Sequence, residues 1–459
     1  MAGWQTLEQL VKLEIIARRD EGCDVTGFRE RFDALEKTEQ NLMAFYNELM
    51  ALPENSPFDC PNELSEIRRL SKAHKNGEAG EVFKFDCSDE ELFDKFYGAW
   101  MGRCIGCALG KPLETSWAFG GKKEPGYQLV YEWFNMAGQY PINDYAPKNS
   151  PAEEKYGIST VWENSTRDKI SYMETDDDIR YTVLGLVMTE RKGKDFDSYD
   201  VGKLWHELLP YKLVCTAETQ SYLNFAEKTA HNMGKPQDIS EIIEYSRTHL
   251  NPYREWIGAQ IRVDAYAYAA AGNPALAAEL AYKDAAFSHV KNGIYGAMFL
   301  SAMISAAFYE KDPEKLIEIG LAEIPENCML AVEVKKAVQM AKQAESELKL
   351  CEMLWDEYRS RFDAVHTINN AALIAAALIY GKGDFTKTVT LAVLGGWDTD
   401  CNGASVGSIM GAIYGANAIP EHWKNPLSDT LYSAIPDFHP IKISECAERS
   451  MKVYKKLSK

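Results

Sequence analysis

The sequence predicts an all-α protein, because apolar residues recur at helical spacing along most of its 459 residues and strand patterns are few. Two series of glycines repeated every fourth residue support this class: Gly98, Gly102, Gly106 and Gly110, then Gly403, Gly407, Gly411 and Gly415. Each mid-helix glycine costs roughly 1 kcal/mol relative to alanine. A stripe of four on one helix face therefore needs a compensation, such as the close approach of a second backbone. We expect two central helices within a tightly packed bundle.

The pattern divides the chain into an N-terminal helical extension, residues 1–88, and a larger domain, residues 89–459. Prolines interrupt the helical spacing at residues 53, 57 and 61, and residues 76–80 are typical of a linker. Ser88 and the acids after it are typical of a helix N-cap. We interpret the extension as an accessory or oligomerisation element. The sequence leaves the oligomeric state open.

Residues from about 115 to 170 form an insertion in the helical pattern that is rich in prolines and aromatic residues. Long ordered loops in compact domains are usually functional. The aromatic side chains could stack on a sugar ring or a base, or they could form a small separate core. The sequence leaves both interpretations open.

The composition excludes several classes of partner. The net charge is −18, from 50 basic and 68 acidic side chains, so we expect neither nucleic acid nor an anionic membrane surface to bind. We find no apolar run of membrane-spanning length and no signal-peptide pattern, and we expect a cytoplasmic protein. The ten cysteines follow no disulfide framework. Cys104 and Cys107 form a single CxxC pair, which we interpret as buried thiols, with a zinc site as the weaker alternative.

Two acidic clusters stand at the start of apolar helical patterns: Thr175-Asp176-Asp177-Asp178 and Asp398-Thr399-Asp400. Adjacent carboxylates repel one another, and a bound cation relieves that repulsion. Oxygen ligands of this type suit magnesium, calcium or manganese. The alternative is that these acids only cap helices and complement the helix dipole. The spacing alone leaves both possibilities open.

Three motifs in order resemble those of the ADP-ribosylglycohydrolase family, which includes dinitrogenase reductase-activating glycohydrolase. They are the glycine-rich segment 102–114 that ends in Glu114, the cluster 175–178, and the segment 395–401. The pair Ser288-His289 is a fourth, weaker match. The resemblance covers roughly residues 90–435. It implies an all-α orthogonal helical bundle with a binuclear magnesium centre at the base of a cleft.

The resemblance also implies roles for individual residues. It makes metal ligands of Thr175, Asp176, Asp177, Asp398 and Asp400, for two Mg²⁺ ions, with Mn²⁺ or Ca²⁺ as alternatives. Glu114 resembles the glutamate beside the scissile bond, so we expect Glu114 and Asp398 to be catalytic. His289 resembles a histidine that contacts the substrate.

Four positions depart from the family pattern. Asp178 stands where threonine or serine is usual, and Trp397 is inserted between the glycine pair and Asp398. Cys401 replaces a threonine ligand, although sulfur is a poor magnesium ligand, and Cys107 replaces a frequent aspartate.

We therefore expect a metal-dependent hydrolase that cleaves the glycosidic bond at a ribosyl or ADP-ribosyl group. The substrate would be a small-molecule or protein-linked glycoside. One alternative is a hydrolase of a small nucleoside or another glycoside. The other is a non-catalytic module that binds ADP-ribose or a sugar.

Overall fold

A computed structural model describes residues 3–75, 82–230 and 238–459. Over these residues the regular structure is almost entirely helical, so the all-α class is confirmed. The only strands in the described ranges are β1 (Thr430–Leu431) and β2 (Ile441–Lys442), which pair antiparallel with Thr430 opposite Lys442. None of the described helices combines the length and apolar character needed to cross a bilayer. The linker predicted at residues 76–80 lies outside the described residues.

The helices fall into consecutive groups along the chain. The N-terminal extension contains α1 (Leu7–Asp20), α2 (Phe28–Ala34), α3 (Glu39–Met50) and α4 (Leu64–Leu70). The first part of the larger domain contains α5 (Asp89–Gly110), α6 (Gly126–Met136), α7 (Ala152–Tyr156), α8 (Asp177–Lys192), α9 (Ser198–Leu208), α10 (Thr216–Thr229) and α11 (Ile239–Thr248). The middle contains α12 (Asp264–Ala269), α13 (Pro274–Ala285), α14 (Lys291–Ala307), α15 (Pro313–Ala322), α16 (Met329–Gln343) and α17 (Glu347–Tyr358). The last part contains α18 (Thr367–Gly381), α19 (Phe385–Leu394), α20 (Thr399–Tyr414), α21 (Glu421–Lys424) and α22 (Ile443–Leu457).

Short 3₁₀ turns connect several of these helices. The turns are Lys72–His74, Lys111–Leu113, Glu163–Ser165, Tyr211–Leu213, Ile257–Arg262, Ala416–Ala418 and Asn425–Leu427.

The two glycine-striped helices, α5 and α20, pack directly against each other. Gly102 faces Gly407 and Gly106 faces Gly403, and a Cβ atom added to Gly102 or Gly106 would overlap the backbone of its partner. The paired positions run in opposite order along the two segments, so the helices are antiparallel. The predicted pair of central helices is therefore confirmed. Close backbone packing is the compensation for their glycine content.

Capping explains where helix α5 begins, and burial shows which helices lie in the centre of the domain. Ser88 caps α5 as expected: its hydroxyl accepts a hydrogen bond from the Glu91 amide, and the Glu91 carboxylate accepts one from the Ser88 amide. Every residue of α14 is buried, and almost every residue of α18 is buried. Helices that are apolar on all sides belong in the centre of a large domain. The core therefore forms around α5, α14, α18 and α20.

The N-terminal extension lies against the larger domain. Its own apolar cluster, which includes Leu10 and Val11, continues into Leu250 and Tyr253. Arg254 is buried at this junction and forms an ion pair of 2.7 Å with Glu14. These contacts support an accessory element that docks on the larger domain. The division at residue 88 and an oligomerisation role remain predictions.

The insertion at residues 115–170 does not form a separate core. Trp117, Trp133, Phe134 and Tyr145 are buried in the same apolar cluster as the central helices. Trp162 is different, because 51% of its surface is exposed. Most of the aromatic residues in the insertion therefore stabilise the main core, and Trp162 is available to a ligand.

Candidate metal and catalytic site

The antiparallel packing of α5 and α20 determines where the site forms. The C-terminal end of α5 meets the N-terminal end of α20, and the Thr399 hydroxyl donates a 2.9 Å hydrogen bond to the Gly110 carbonyl oxygen. The 3₁₀ turn Lys111–Leu113 then leads from Gly110 to Glu114. Two motifs that are far apart in sequence thus bring Glu114, Asp398 and Asp400 to one end of the helix pair.

The first acidic cluster reaches the same place through α8. Asp176 caps α8, and its Oδ1 accepts a 3.0 Å hydrogen bond from the Asp178 amide. Arg103 of α5 donates 2.9 Å and 2.8 Å hydrogen bonds to the Asp178 carboxylate and carbonyl oxygen, and its Nε donates one of 2.8 Å to the Thr182 hydroxyl. A 2.9 Å ion pair also joins Arg103 to Asp264. Arg103 therefore holds the start of α8 against α5.

Side chains from the two clusters converge into two overlapping groups of possible ligands. In the first, one ligand atom from each of four residues lies within 4.8 Å of the others; the residues are Cys107, Asp176, Asp178 and Asp400. In the second, the same limit holds for Asp398, Asp400 and Cys401. Asp400 belongs to both groups, and all of these residues are buried. The two groups of possible ligands therefore share one carboxylate.

Burial and mutual repulsion make full ionisation of the acids in this cluster unfavourable in free energy. Burial raises the pKa of Asp398 and that of Asp177 to about 6. Burial also raises the pKa of Glu114 and that of Asp400 well above the usual range, and the neighbouring carboxylates raise both further. A positive charge at this position would relieve the repulsion.

Three buried oxygens in the cluster make no hydrogen bond to any described residue. They are Thr175 Oγ1, Asp178 Oδ2 and Asp400 Oδ1. Buried polar atoms without a partner are rare in folded proteins. Oxygen atoms of this kind are the ligands that hard divalent cations prefer. The residues therefore fit a divalent cation, and Asp178, which departs from the family pattern, offers a free oxygen to it.

Asp176, one of the expected ligands, is engaged by a lysine that the sequence did not single out. Lys111 Nζ lies 2.7 Å from Asp176 Oδ2 and donates a 2.6 Å hydrogen bond to the Thr175 carbonyl oxygen. Although burial raises the pKa of Asp176, the ammonium group of Lys111 holds that pKa well below its usual range. A lysine at the end of a helix is ordinarily explained by the helix dipole, so its sequence position gave no signal of this contact.

Asp177 and Glu114 lie on the more accessible side of the cluster, since each is partly exposed. Asp177 Oδ2 lies 3.4 Å from the thiol of Cys215, the residue that precedes α10. Cys215 is a further site neighbour that sequence reasoning missed, because a lone cysteine before a helix carries no spacing signal. Trp162 is also near, with its ring 4.5 Å from Lys111 Nζ.

The inserted Trp397 is accommodated without displacing Asp398 from the start of α20. Gly396 and Trp397 both adopt left-handed backbone conformations, with φ of 72° and 59°. This turn directs the Trp397 ring into the core, where it is 1% exposed and stacks on Trp355 at a centroid distance of 5.8 Å. Asp398 remains the N-cap residue of α20.

His289 is the one expected site residue that the described contacts do not bring to the acidic cluster. It is fully buried, and its Nδ1 lies 2.8 Å from the Ser288 hydroxyl. Arg262 donates hydrogen bonds to the Ser288 hydroxyl and to the Glu218 carboxylate. Burial holds the pKa of His289 well below its usual range. Its role in contacting substrate remains a prediction.

Comparison with known proteins identifies the family of this chain. A family model described as ADP-ribosylglycohydrolase matches residues 88–455. No curated protein matches the chain. One similar solved structure is described as an ADP-ribosylglycohydrolase-related protein complex, with 18% sequence identity over 80% of this chain and 99% of that chain, and with a TM-score of 0.47. Because the family model spans most of its length, the chain belongs to the ADP-ribosylglycohydrolase family.

Proposed function

We propose that this protein is a metal-dependent hydrolase that cleaves the glycosidic bond at a ribosyl group, with an ADP-ribosyl group as the first candidate. The observation that carries the proposal is the pair of buried ligand groups that share Asp400, one with Asp178 and the other with Asp398, near the partly exposed Glu114. Family membership supports a glycosyl hydrolase. The unpartnered oxygens of Thr175, Asp178 and Asp400 support the requirement for a cation.

Two divalent cations would be held by the expected ligand set. That set is Thr175, Asp176, Asp177, Asp398 and Asp400, and we add Asp178 because its Oδ2 has no other partner among the described residues. Mg²⁺ is the first candidate cation, with Mn²⁺ or Ca²⁺ as alternatives. When bound, such cations orient sugar hydroxyls and lower the pKa of a water molecule.

The protein's own groups supply the remaining chemistry. Glycosidic cleavage passes through an oxocarbenium-like state, which a nearby carboxylate stabilises. Glu114 and Asp398 are the two catalytic candidates. Burial raises the pKa of Glu114, and the neighbouring Asp398 carboxylate raises it further. Glu114 lies on the accessible side and can exchange a proton with the leaving group. Asp398 is more deeply buried, where it can orient the attacking water.

A second candidate function is hydrolysis of a small nucleoside or another glycoside. Two observations favour it: Cys401 alters the ligand set, and the exposed ring of Trp162 beside Lys111 offers a stacking surface for one sugar or base. A panel containing peptides ADP-ribosylated on arginine or serine, free nucleosides and simple glycosides separates the two. Release of ADP-ribose supports the first function, and release of free sugar without ADP-ribose supports the second.

A third possibility, a module that binds ADP-ribose without cleaving it, is tested with the same panel. We expect Asp398→Asn and Glu114→Gln to lower the turnover number by at least about a hundredfold while the protein stays folded. Tight binding of ADP-ribose without turnover of any panel member would instead support the binding module and contradict the proposal.

A further inference from the structure

We infer that the position formed by Asp398, Asp400 and Cys401 binds a divalent cation that accepts sulfur, such as Zn²⁺ or Co²⁺, in preference to Mg²⁺. This inference rests on the proposed cation-dependent function of the same site, and it names the cation chemistry of one of the two positions. The other position, around Thr175 and the first acidic cluster, remains the magnesium candidate.

The geometry places the thiol of Cys401 among carboxylates. Its sulfur and one oxygen from each of Asp398 and Asp400 lie within 4.8 Å of one another. Cys401 is only 4% exposed, so its sulfur belongs to the cluster and not to the protein surface.

One unpartnered oxygen points independently to a ligand at this position. Asp400 Oδ1 is buried and makes no hydrogen bond to any residue in the described ranges. Asp178 Oδ2 is also buried and unpartnered, but Asp178 belongs to the neighbouring ligand group, which shares Asp400. With the sulfur of Cys401 and the Asp398 carboxylate, Asp400 completes a mixed donor set of one sulfur and two carboxylates.

The chemistry of this donor set favours a borderline or soft cation. Mg²⁺ demands six oxygen ligands and gives up its bound water reluctantly. Zn²⁺ and Co²⁺ accept a thiolate together with carboxylates in a site of low coordination number. Cys401 also packs against Ile257, Ile261 and Val365. An apolar wall leaves little room for the hydration shell that Mg²⁺ retains.

Cys107 provides a matched comparison within the same site. Its thiol is also buried near Asp178 and Asp400, but it shares its ligand group with Asp176 and not with Asp398. Lys111 already neutralises Asp176 there. We therefore assign the metal–sulfur bond to Cys401.

The test is a cobalt titration of the full-length protein after chelator treatment, in a buffer whose reductant binds cobalt weakly. A thiolate bound to Co²⁺ gives a charge-transfer band in the near ultraviolet. We expect the native protein and Cys107→Ser to give this band, and Cys401→Thr to lose it. Zn²⁺ should abolish the native band at stoichiometric amounts, whereas Mg²⁺ in large excess should not.

Cobalt affinity provides the quantitative readout. We expect Cys401→Thr to weaken cobalt binding by more than about tenfold, the loss that even an outer partner of a ligand typically causes. A band that survives in Cys401→Thr, a band lost in Cys107→Ser, or displacement of cobalt by Mg²⁺ as readily as by Zn²⁺ overturns the inference. The last measurement needs only the native protein, so it decides the question even if a variant fails to fold.

The inference and the proposed function can fail separately. Hydrolysis supported by Mg²⁺ alone and unchanged in Cys401→Thr would remove the inference and leave the function standing. A cobalt–thiolate band lost in Cys401→Thr, in a protein that hydrolyses no member of the glycoside panel, would remove the function and leave the sulfur-accepting site standing.

Discussion

Gly106 of α5 and Gly403 of α20 pack backbone to backbone, because a Cβ atom on either residue would overlap the carbonyl oxygen of the other. The same relationship repeats at Gly102 and Gly407. This close approach brings the end of α5 and the start of α20 together. The acidic site is built where those two ends meet, so the glycine stripe determines the geometry of the site as well as the packing of the core.

The first prediction concerns this helix contact. Gly106→Ala should lower the free energy of unfolding by about 3 kcal/mol or more, because the methyl group meets a backbone that cannot move aside. Gly185 in α8 is the matched control, since an added Cβ there would lie 3.1 Å from the Ala265 side chain. Gly185→Ala should stay within about 1 kcal/mol of the native protein. Urea denaturation measures both, and equal losses would contradict close packing as the reason for the stripe.

The second prediction concerns Arg103, which is buried between Asp178 and Asp264. Arg103→Met should destabilise the protein by about 3–5 kcal/mol, because it leaves two buried carboxylates without their partner. Arg191→Met is the control: Arg191 pairs with Glu207 at the surface, where both side chains are about half exposed. That change should cost less than about 1 kcal/mol. Similar losses of unfolding free energy in the two variants would show that the buried ion pairs of Arg103 do not contribute more to stability than a surface pair.

The third prediction concerns the pH dependence of the junction with the N-terminal extension. Arg254 binds both oxygens of Glu21 at 2.9 Å, and although burial raises the pKa of Glu21, Arg254 is the chief cause that lowers it to about 2. The resulting stabilisation is present above the ordinary glutamate pKa and is lost as the pH falls from about 4.5 towards 2. Glu21→Gln should therefore be less stable than the native protein at pH 7, by about 3 kcal/mol.

That difference should shrink steadily as the pH is lowered through this range. Free energies of unfolding measured for the native protein and Glu21→Gln at a series of pH values provide the check. A difference between the two proteins that stays constant or grows in acid would contradict the account.

The fourth prediction concerns the shared carboxylate Asp400. In chelated protein, Asp400→Asn should raise the melting temperature by about 2 °C, because it removes one negative charge from a crowded buried cluster. Added divalent cation should stabilise the native protein and should stabilise Asp400→Asn much less. The exposed Asp356 is the control, and Asp356→Asn should change neither value. A lower melting temperature for chelated Asp400→Asn would argue against charge crowding.

The fifth prediction concerns Trp162 at the accessible side of the site. Trp162→Ala should raise KM for a cleaved glycoside about fivefold and leave kcat nearly unchanged, because it removes a stacking surface worth about 1 kcal/mol. Trp4 in the N-terminal extension has the same exposed fraction, 51%. Trp4→Ala should alter neither constant. An unchanged KM in Trp162→Ala would contradict a role of Trp162 in binding the substrate.

The sequence was sufficient for the main architecture. Helical spacing predicted the all-α class, and the glycine stripes predicted that α5 and α20 are tightly packed central helices, because both signals are local and periodic. The approach of Asp400 to Asp176 was also foreseeable in outline, since each stands at the start of a helix in an ordered set of motifs.

The remaining contacts depend on tertiary packing, which one sequence does not specify. Lys111 engages Asp176, and Arg103 engages Asp178 and Asp264, across gaps of about 65 to 160 residues with no periodic signal. The insertion was ambiguous for the same reason. The residue type does not say which of its tryptophans is buried, and only the fold distinguishes the buried Trp133 from the exposed Trp162.

The most direct test of the central claim is glycoside hydrolysis by chelator-treated protein before and after a divalent cation is restored. We expect hydrolysis of at least one panel member to disappear on chelation, to return with the cation, and to stay absent in Asp400→Asn at every cation concentration. Hydrolysis that is unaffected by chelation, or that persists at the native rate in Asp400→Asn, would contradict the assignment of these carboxylates to a metal-dependent hydrolytic site.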